Sequence, residues 1–363
     1  VGVLPDVTLR ATSSTDPGRG VWARDHFDRW YDALAAAEAV DRPDPSTWRR
    51  GELRALLERG TADERMDVVL AEVGGDVVGV ADVRCGLTDN RHVALVHVAV
   101  PPAHRGRGVG TRLLAAALEV AAAQGRTTVR VRVDRPADRE PQSWPGSVAA
   151  ARWGFGAGLL TARRQLHLPP DADLLAALAA GAAPYAAGYG VRAYAGPVPE
   201  ADLDEMARLT ARMSTDAPNG DLAVEPEHWD AERIREVEAV RAAQGRHQWV
   251  AVAQDPQGRL VAYTVLVRSD HEPERLLQLD TLVLAEHRGH RLGTLVKLAC
   301  LRRALADNPA AQRVSTWNAV SNGPMVAVNE ALGFVLDEFL EELEAPRERV
   351  VQTLRDQTLR NRT

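Results

Sequence analysis

The sequence predicts a mixed α/β fold built twice, as two tandem domains, each a mostly antiparallel mixed sheet flanked by helices. Three observations carry this reading. The glycine-punctuated turn and helix PAHRGRGVGTRLLAAALEVAA (102–122) returns as AEHRGHRLGTLVKLACLRRAL (285–305), with Arg105 and Arg288 standing 183 residues apart. The repetition continues on both sides, and a period near ~180 residues is too long for a solenoid and fits a duplicated domain. The chain has 363 residues and is 45% hydrophobic, enough for two cores, since single cores tend to split above roughly 250–300 residues.

The elements follow in order. In the first half the helical stretches HFDRWYDALAAAEA and STWRRGELRALLERG precede MDVVLAEVGGDVVGVADVRC, two alternating runs joined around Gly74 and Gly75, which is a hairpin signal. VALVHVAV then leads as a strand into the first turn and its helix. TTVRVRV (127–133) is the next strand, and ARWGF (151–155) closes a short helix before the last one. The second half repeats the plan. ADLDEMARLTARM and EHWDAERIREVEAVRAAQG precede HQWVAVAQDPQGRLVAYTVLVR, whose DPQG is a turn. LLQLDTLVLAEHRGHRLG, RVSTWNA (313–319) and EALGF (330–334) take the remaining places. The proline-to-glycine stretch 169–189 is expected to be a linker, which gives domains at 1–168 and 190–363. The charged tail after Pro346 is expected to form a short helix.

Composition excludes several classes. The 44 basic and 50 acidic side chains give a net charge of -6 without a long single-sign run, which disfavours a dedicated nucleic-acid protein. Cys85 and Cys300 lie in different halves and read as buried thiols of a cytoplasmic protein, not a disulfide framework. Neither a secretion signal nor a membrane span is expected.

In RGRGVG (105–110) the glycines permit a tight turn whose backbone N–H groups face one concavity. The helix that follows adds unpaired N–H groups and the positive end of its dipole. An anion of pyrophosphate size fits there, with Arg105, Arg107 and Arg112 able to add charge-assisted contacts. A plain connecting turn is the alternative. No Gly-Lys-Ser/Thr closes it as in a Walker A loop, and no dinucleotide fingerprint is present.

Strand, R/Q-x-x-G-x-G/A turn, helix, strand and a short helix ending in GF together resemble the GNAT acetyltransferase superfamily. The first half fits through Arg105, Gly108 and Gly110; the second has Arg288 and Gly293 but Arg291 at the middle glycine. The tandem arrangement is similar to mycothiol synthase and other two-domain bacterial acetyltransferases. The resemblance implies two GNAT acyl-CoA N-acyltransferase domains and acetyl-CoA as donor, with no metal. It implies that the amides of Arg105, Gly106, Arg107, Gly108, Val109, Gly110 and Thr111, and of Arg288, Gly289, His290, Arg291, Leu292, Gly293 and Thr294, hold pyrophosphate. The pantetheine arm is then expected along Val98 and Val100, and along Leu282, Val283 and Leu284. A non-glycine at 291 is acceptable if its backbone stays right-handed.

Chemistry is expected mainly in the second half. STWNAVSNGPMVAVNEALGF (315–334) carries Asn318, Asn322 and Asn329, whereas WPGSVAAARWGF lacks these groups. Amides can orient a cofactor or substrate, and capping is the ordinary alternative for Asn322. Asp280, eight residues before Arg288, is a candidate base or anchor for a cationic substrate, and His97 has the same offset in the first half. Where many family members place a tyrosine acid, this chain has Asn329 and Ala150; Tyr263 is a distant substitute. The acidic stretch 213–230, with Asp216, Asp221, Glu225 and Glu227, is either a substrate lid or a solvated loop; Trp229 and Trp249 line the pocket or the core. The expected acceptor is a small-molecule amine, in a monomer or homodimer without nucleic-acid or membrane partners. Acetylation of a protein or peptide, and a catalytically lapsed acyl-CoA-binding module, are the alternatives.

Overall fold

A computed structural model describes residues 7–13, 24–40, 42 and 44–360. Their contacts divide into two compact units. The first takes the described residues up to Leu159 together with those from Leu340 on; the second runs Leu160–Phe339.

In the first unit the order is β1 (Thr8–Ser13), α1 (Arg24–Glu38), α2 (Arg50–Arg59), β2 (Glu64–Val73), β3 (Asp76–Gly86), β4 (Val93–Ala99), α3 (Val109–Ala123), β5 (Thr128–Pro136) and α4 (Pro145–Arg152). The β2–β3 hairpin turns at Gly74 and Gly75, both at positive φ, the backbone that a tight two-residue hairpin requires. β1 to β4 pair antiparallel in sequence order, and β4 pairs parallel with β5 over Val93–Val96 and Thr128–Val131. Helix α3 buries Leu113, Leu114, Ala117, Leu118 and Ala121, the 3.6-residue spacing of a core-facing helix.

Strand β6 (Gly156–His167) and helix α5 (Ala172–Ala182) precede the second unit's repeat of this plan. It consists of β7 (Gly190–Ala195), α6 (Leu203–Ala211), α7 (Met213–Asp216), α8 (Ala231–Ala243), β8 (Arg246–Gln254), β9 (Leu260–Ser269), β10 (Glu272–Val283), α9 (Leu292–Asp307), β11 (Arg313–Ala319) and α10 (Gly323–Ala331). Strand β12 (Val335–Pro346) and helix α11 (Arg347–Arg360) end the described chain. The strand order is β7-β8-β9-β10-β11-β6, with β10 and β11 parallel over Arg275–Gln278 and Arg313–Thr316.

The element order agrees with the sequence reading, but the units are not the contiguous segments 1–168 and 190–363. Strand β6 pairs antiparallel with β11, so residues of the first repeat complete the second unit. The 340–346 part of β12 lies beside β5 and completes the first. Ion pairs bridge the strands in this arrangement. Arg130 and Arg135 of β5 each reach a β12 carboxylate at 2.8 Å, Glu344 and Glu341 respectively. Arg163 of β6 is buried against Glu338 at 3.1 Å in the second unit. Leaving either member of such a buried pair alone is strongly destabilising. The tail helix α11 buries Val350 and Leu354 in the first unit's core. The segment expected as a linker instead buries Leu175 and Ala186 in the second unit's core.

Candidate active site

Each unit places its turn between a strand end and a helix. In the second, the Arg288 amide closes a 3-10 turn on the Ala285 carbonyl, and the next backbone bond is Leu295 to Arg291. The amides from Gly289 to Thr294 are thus left without a helical acceptor. The first unit repeats this, from Arg105 bonded to Pro102 to Arg112 bonded to Gly108. Gly106, Gly108 and Gly289 have positive φ and open space where a Cβ would stand. These cradles fit an anion of pyrophosphate size on amide count and space.

Three details differ from the sequence expectation. Arg291 has φ 53 and ψ 22, left-handed like Gly108 at the matching place, not right-handed. The turn needs that conformation to enter the helix, and the side chain is held by stacking its guanidinium 4.8 Å over the Tyr185 ring. A left-handed non-glycine costs on the order of 1–2 kcal/mol. Arg291→Gly is therefore expected to be about 1 kcal/mol more stable than Arg291→Ala, reversing the usual order, as read by denaturant unfolding. The second detail concerns Arg105 and Arg288. Each donates its Nε to a strand-end carbonyl, of Val100 at 2.8 Å and Val283 at 3.3 Å, and so ties turn to strand. Arg288 also stands 3.7 Å from Asp216. The exposed Arg107 is free of such a role.

The third is the direction of the strand amides. The Leu284 amide bonds to the Val261 carbonyl, and Leu282 lies opposite Tyr263 two residues earlier. Alternation along an antiparallel pair turns both amides toward β9, which removes Leu282 and Leu284 as amide donors to the cleft. Thr281 and Val283 face the open side; Val98 and Val100 are their counterparts, since Ala99 lies opposite Val80 as Leu282 lies opposite Tyr263.

The two units also differ in their central strand. Pairing of β3 with β4 is regular, whereas β10 shifts register against β9 between Gln278 and Thr281. The Gln278 Nε2 donates to Thr264 Oγ1 and to the Val265 carbonyl, and Thr264 Oγ1 donates to the Asp280 carbonyl. This bulge is stapled by side chains. It carries Asp280 on the α6 and α8 face, where the Tyr263 hydroxyl donates to its Oδ2 at 3.4 Å. Burial raises the Asp280 pKa above the usual carboxylate range, against the pull of the Arg241 charge. Burial raises that of Tyr263 well above its ordinary value, so the phenol stays a donor. His97 instead lies between Asp82 at 3.4 Å and Glu38 at 3.3 Å, and its pKa is raised, with burial opposing and the carboxylates prevailing.

Strand β11 runs past its last β10 partner at Thr316 to Ala319, opening a splay. Asn318 there accepts from Asn329 Nδ2 of α10. Asn329 is fully buried and its Oδ1 has no partner. Asn322 caps α10, its Oδ1 accepting from the Met325 amide. Of the loop candidates, Trp229 bonds to Glu227 at 2.9 Å. Trp249 is buried with its Nε1 on Asp307 of α9, which places it in the core. Lys297 and Ser315 are among the buried polar residues that escaped the sequence reading. The signal that finds them is the sister repeat, where Leu114 and Val129 hold the matching places.

The acetyltransferase (GNAT) family model matches residues 27–140 and 210–334. Over 202 residues the chain is 32% identical to the mycothiol acetyltransferase of Nocardia farcinica (strain IFM 10152), covering 55% of each. The chain thus spans about half the length of the curated relative it matches. A tandem GNAT protein from the clavulanic acid biosynthesis pathway superposes with a TM-score of 0.73 at 27% identity, covering 94% of this chain and 99% of that one. A GCN5-related N-acetyltransferase from Sphaerobacter thermophilus has a TM-score of 0.59 at 16% identity, covering 95% and 97%, and shares the fold.

Proposed function

Because the chain belongs to the GNAT acetyltransferase family, we propose that it moves an acetyl group from acetyl-CoA to a primary amine of a small polar metabolite or antibiotic-like compound, with the chemistry in the second unit. The observation that carries the choice of unit is the stapled bulge of β10 at Asp280, absent from β4. Bulges re-aim side chains and backbone beside active sites, and this one presents a half-buried carboxylate next to the splay.

The donor supplies an activated acyl group. Gly289 to Thr294 bind its diphosphate through backbone amides, and Thr281 and Val283 direct theirs along the cleft. Asp280, its pKa raised by burial, takes the proton from the acceptor nitrogen or anchors a cationic acceptor. Asn318 and Asn329 line the α10 side. Fixed geometry of this kind supplies much of the acceleration in acyl transfer.

Thiol release from acetyl-CoA across a panel of small amines and of peptides tests the proposal. Turnover with small amines is expected. Turnover with peptides alone would favour a protein acetylator, and tight acetyl-CoA binding without turnover a lapsed module.

A further inference from the structure

The two repeats can be superposed residue by residue around the splay. Leu295 bonds to Arg291 as Arg112 does to Gly108, so Lys297 takes the place of Leu114. Ser315 lies opposite Leu277 as Val129 lies opposite Ala94, and Phe334 bonds to Asn329 as Phe155 does to Ala150. In the first unit Leu114, Val129, Ala150 and Phe155 belong to one apolar cluster. In the second, Lys297, Ser315 and Asn329 are as deeply buried, at 2%, 0% and 0% exposure. Each has a polar atom without a hydrogen-bond partner, Nζ, Oγ and Oδ1. An unpaired buried polar atom costs about 1–3 kcal/mol, and a charged one more. Three of them where the sister repeat is apolar point to an occupant.

Their position says what it is. Ser315 stands one residue before the last β10–β11 pair, and Asn329 holds Asn318 on the free end of β11. The Lys297 Nζ lies 6.0 Å from the Phe334 ring centroid, five residues on from Asn329. Because the matching Leu114, Val129 and Ala150 share one cluster in the sister unit, the three residues lie on the α9 and α10 side, with Ser315 at the closed end of the splay. Asp280 and Tyr263 occupy the α6 and α8 side.

We propose that Lys297 is the proton donor to, and counter-ion of, the thiolate that leaves when the acyl group is transferred. The inference rests on the second unit being the acetyl-CoA site. As the acceptor nitrogen bonds to the acyl carbon, the carbon–sulfur bond breaks with its electron pair on sulfur. The Lys297 ammonium gives sulfur a proton and becomes a neutral amine. The proton shed by the acceptor nitrogen leaves through Asp280 to solvent, and Nζ is recharged from solvent before the next turnover.

Burial brings the Lys297 pKa down to about 7, and Cys300, one turn along α9, is the titratable group that acts on it. The Cys300 thiol is itself pushed up to about 12 by burial and stays neutral. A donor poised near neutrality suits proton transfer, and Asn329, at the place of the family's tyrosine, has no acidic proton to give.

The test is the ultraviolet thiolate absorbance of bound coenzyme A as a function of pH, in the full chain and in Lys297→Met. Leu114 shows that an apolar side chain fits this position in the sister unit. With Lys297 in place part of the bound thiol is expected to ionise in the pH range where Lys297 titrates, well below free coenzyme A, and the rest near the free value, because ammonium and thiol titrate as a coupled pair. Lys297→Met should return all of the thiol to the free value with affinity retained, and lower kcat about tenfold with any accepted amine. The same titration in both proteins overturns the proposal. If the variant does not fold, nitrogen-15 labelling of lysine in the unaltered chain reads the Nζ titration directly. Part of it must move to higher pH, in step with the thiolate, when coenzyme A binds, and an unmoved titration overturns the proposal. A shifted thiol without turnover of any amine would leave Lys297 standing and sink the proposed activity. Turnover with an unshifted thiol would do the reverse, and absence of coenzyme A binding would overturn both.

Discussion

Asp280→Asn is expected to lower kcat about 10³-fold, within the usual range for removing a general base, while acetyl-CoA affinity stays within about twofold. The substitution keeps size and the hydrogen bond from Tyr263, so it removes charge and basicity alone. The carboxylate faces α6 and α8, away from the amides of Gly289–Thr294 that would hold the diphosphate. The pH profile makes the expectation sharper. A base works as the carboxylate, so activity is full above its pKa and lost as pH falls through it. Burial raises that pKa above the ordinary value of 3.8, so the acid limb should lie above the usual carboxylate range and vanish in the variant. If Asp280 instead anchors a cationic acceptor, KM rises more than kcat falls and uncharged amines are spared. Unchanged kcat and KM would remove Asp280 from the site.

The duplication, the element order and the cradles were legible because each rests on local pattern. Alternating runs flank Gly74–Gly75, the turns repeat, and Asn322 caps its helix as such a residue does before Pro324. What escaped rests on tertiary choice. Strand patterns say that β6 and β12 are strands, but not whether β5 takes one or the other, a pairing in which Arg130 and Arg135 meet Glu344 and Glu341. Those charges were visible and their pairing was not. The same holds for amide direction. Without knowing where β10 bulges, a one-residue error in register turns every amide to the wrong neighbour, and Leu282 and Leu284 were misjudged in that way. Arg291 was misread for a different reason: sequence favours right-handed backbone for arginine, and the turn overrides it. Lys297 reads as part of an ordinary amphipathic helix until it is set against Leu114, when a buried ammonium stands out.

Gly293→Leu is expected to weaken acetyl-CoA binding about 10²-fold, or about 2.7 kcal/mol, with folding stability unchanged or slightly raised. Gly293 sits in the first turn of α9 with ordinary negative-φ backbone, and an added Cβ would meet Val283 Cγ2 at 3.6 Å, a normal contact. Nothing within ordinary contact distance opposes a Cβ there, and a helix gains about 0.5–1 kcal/mol when glycine is replaced by a better helix former. A leucine continues beyond that Cβ, where the amides of Gly289 to Thr294 leave room for a ligand, and would block the close approach of a diphosphate. Gly293→Ala, which stops at the Cβ, should cost far less affinity. Binding and stability therefore part company, which a purely structural role for the glycine would not produce. The matched Gly110→Leu is no equivalent control, because its Cβ already meets Trp153 at 3.4 Å and the change reads fold before binding. Calorimetric titration with acetyl-CoA, run beside denaturant unfolding, measures both quantities. Unchanged affinity in a folded Gly293→Leu would mean that the second unit's cradle does not hold the donor's diphosphate.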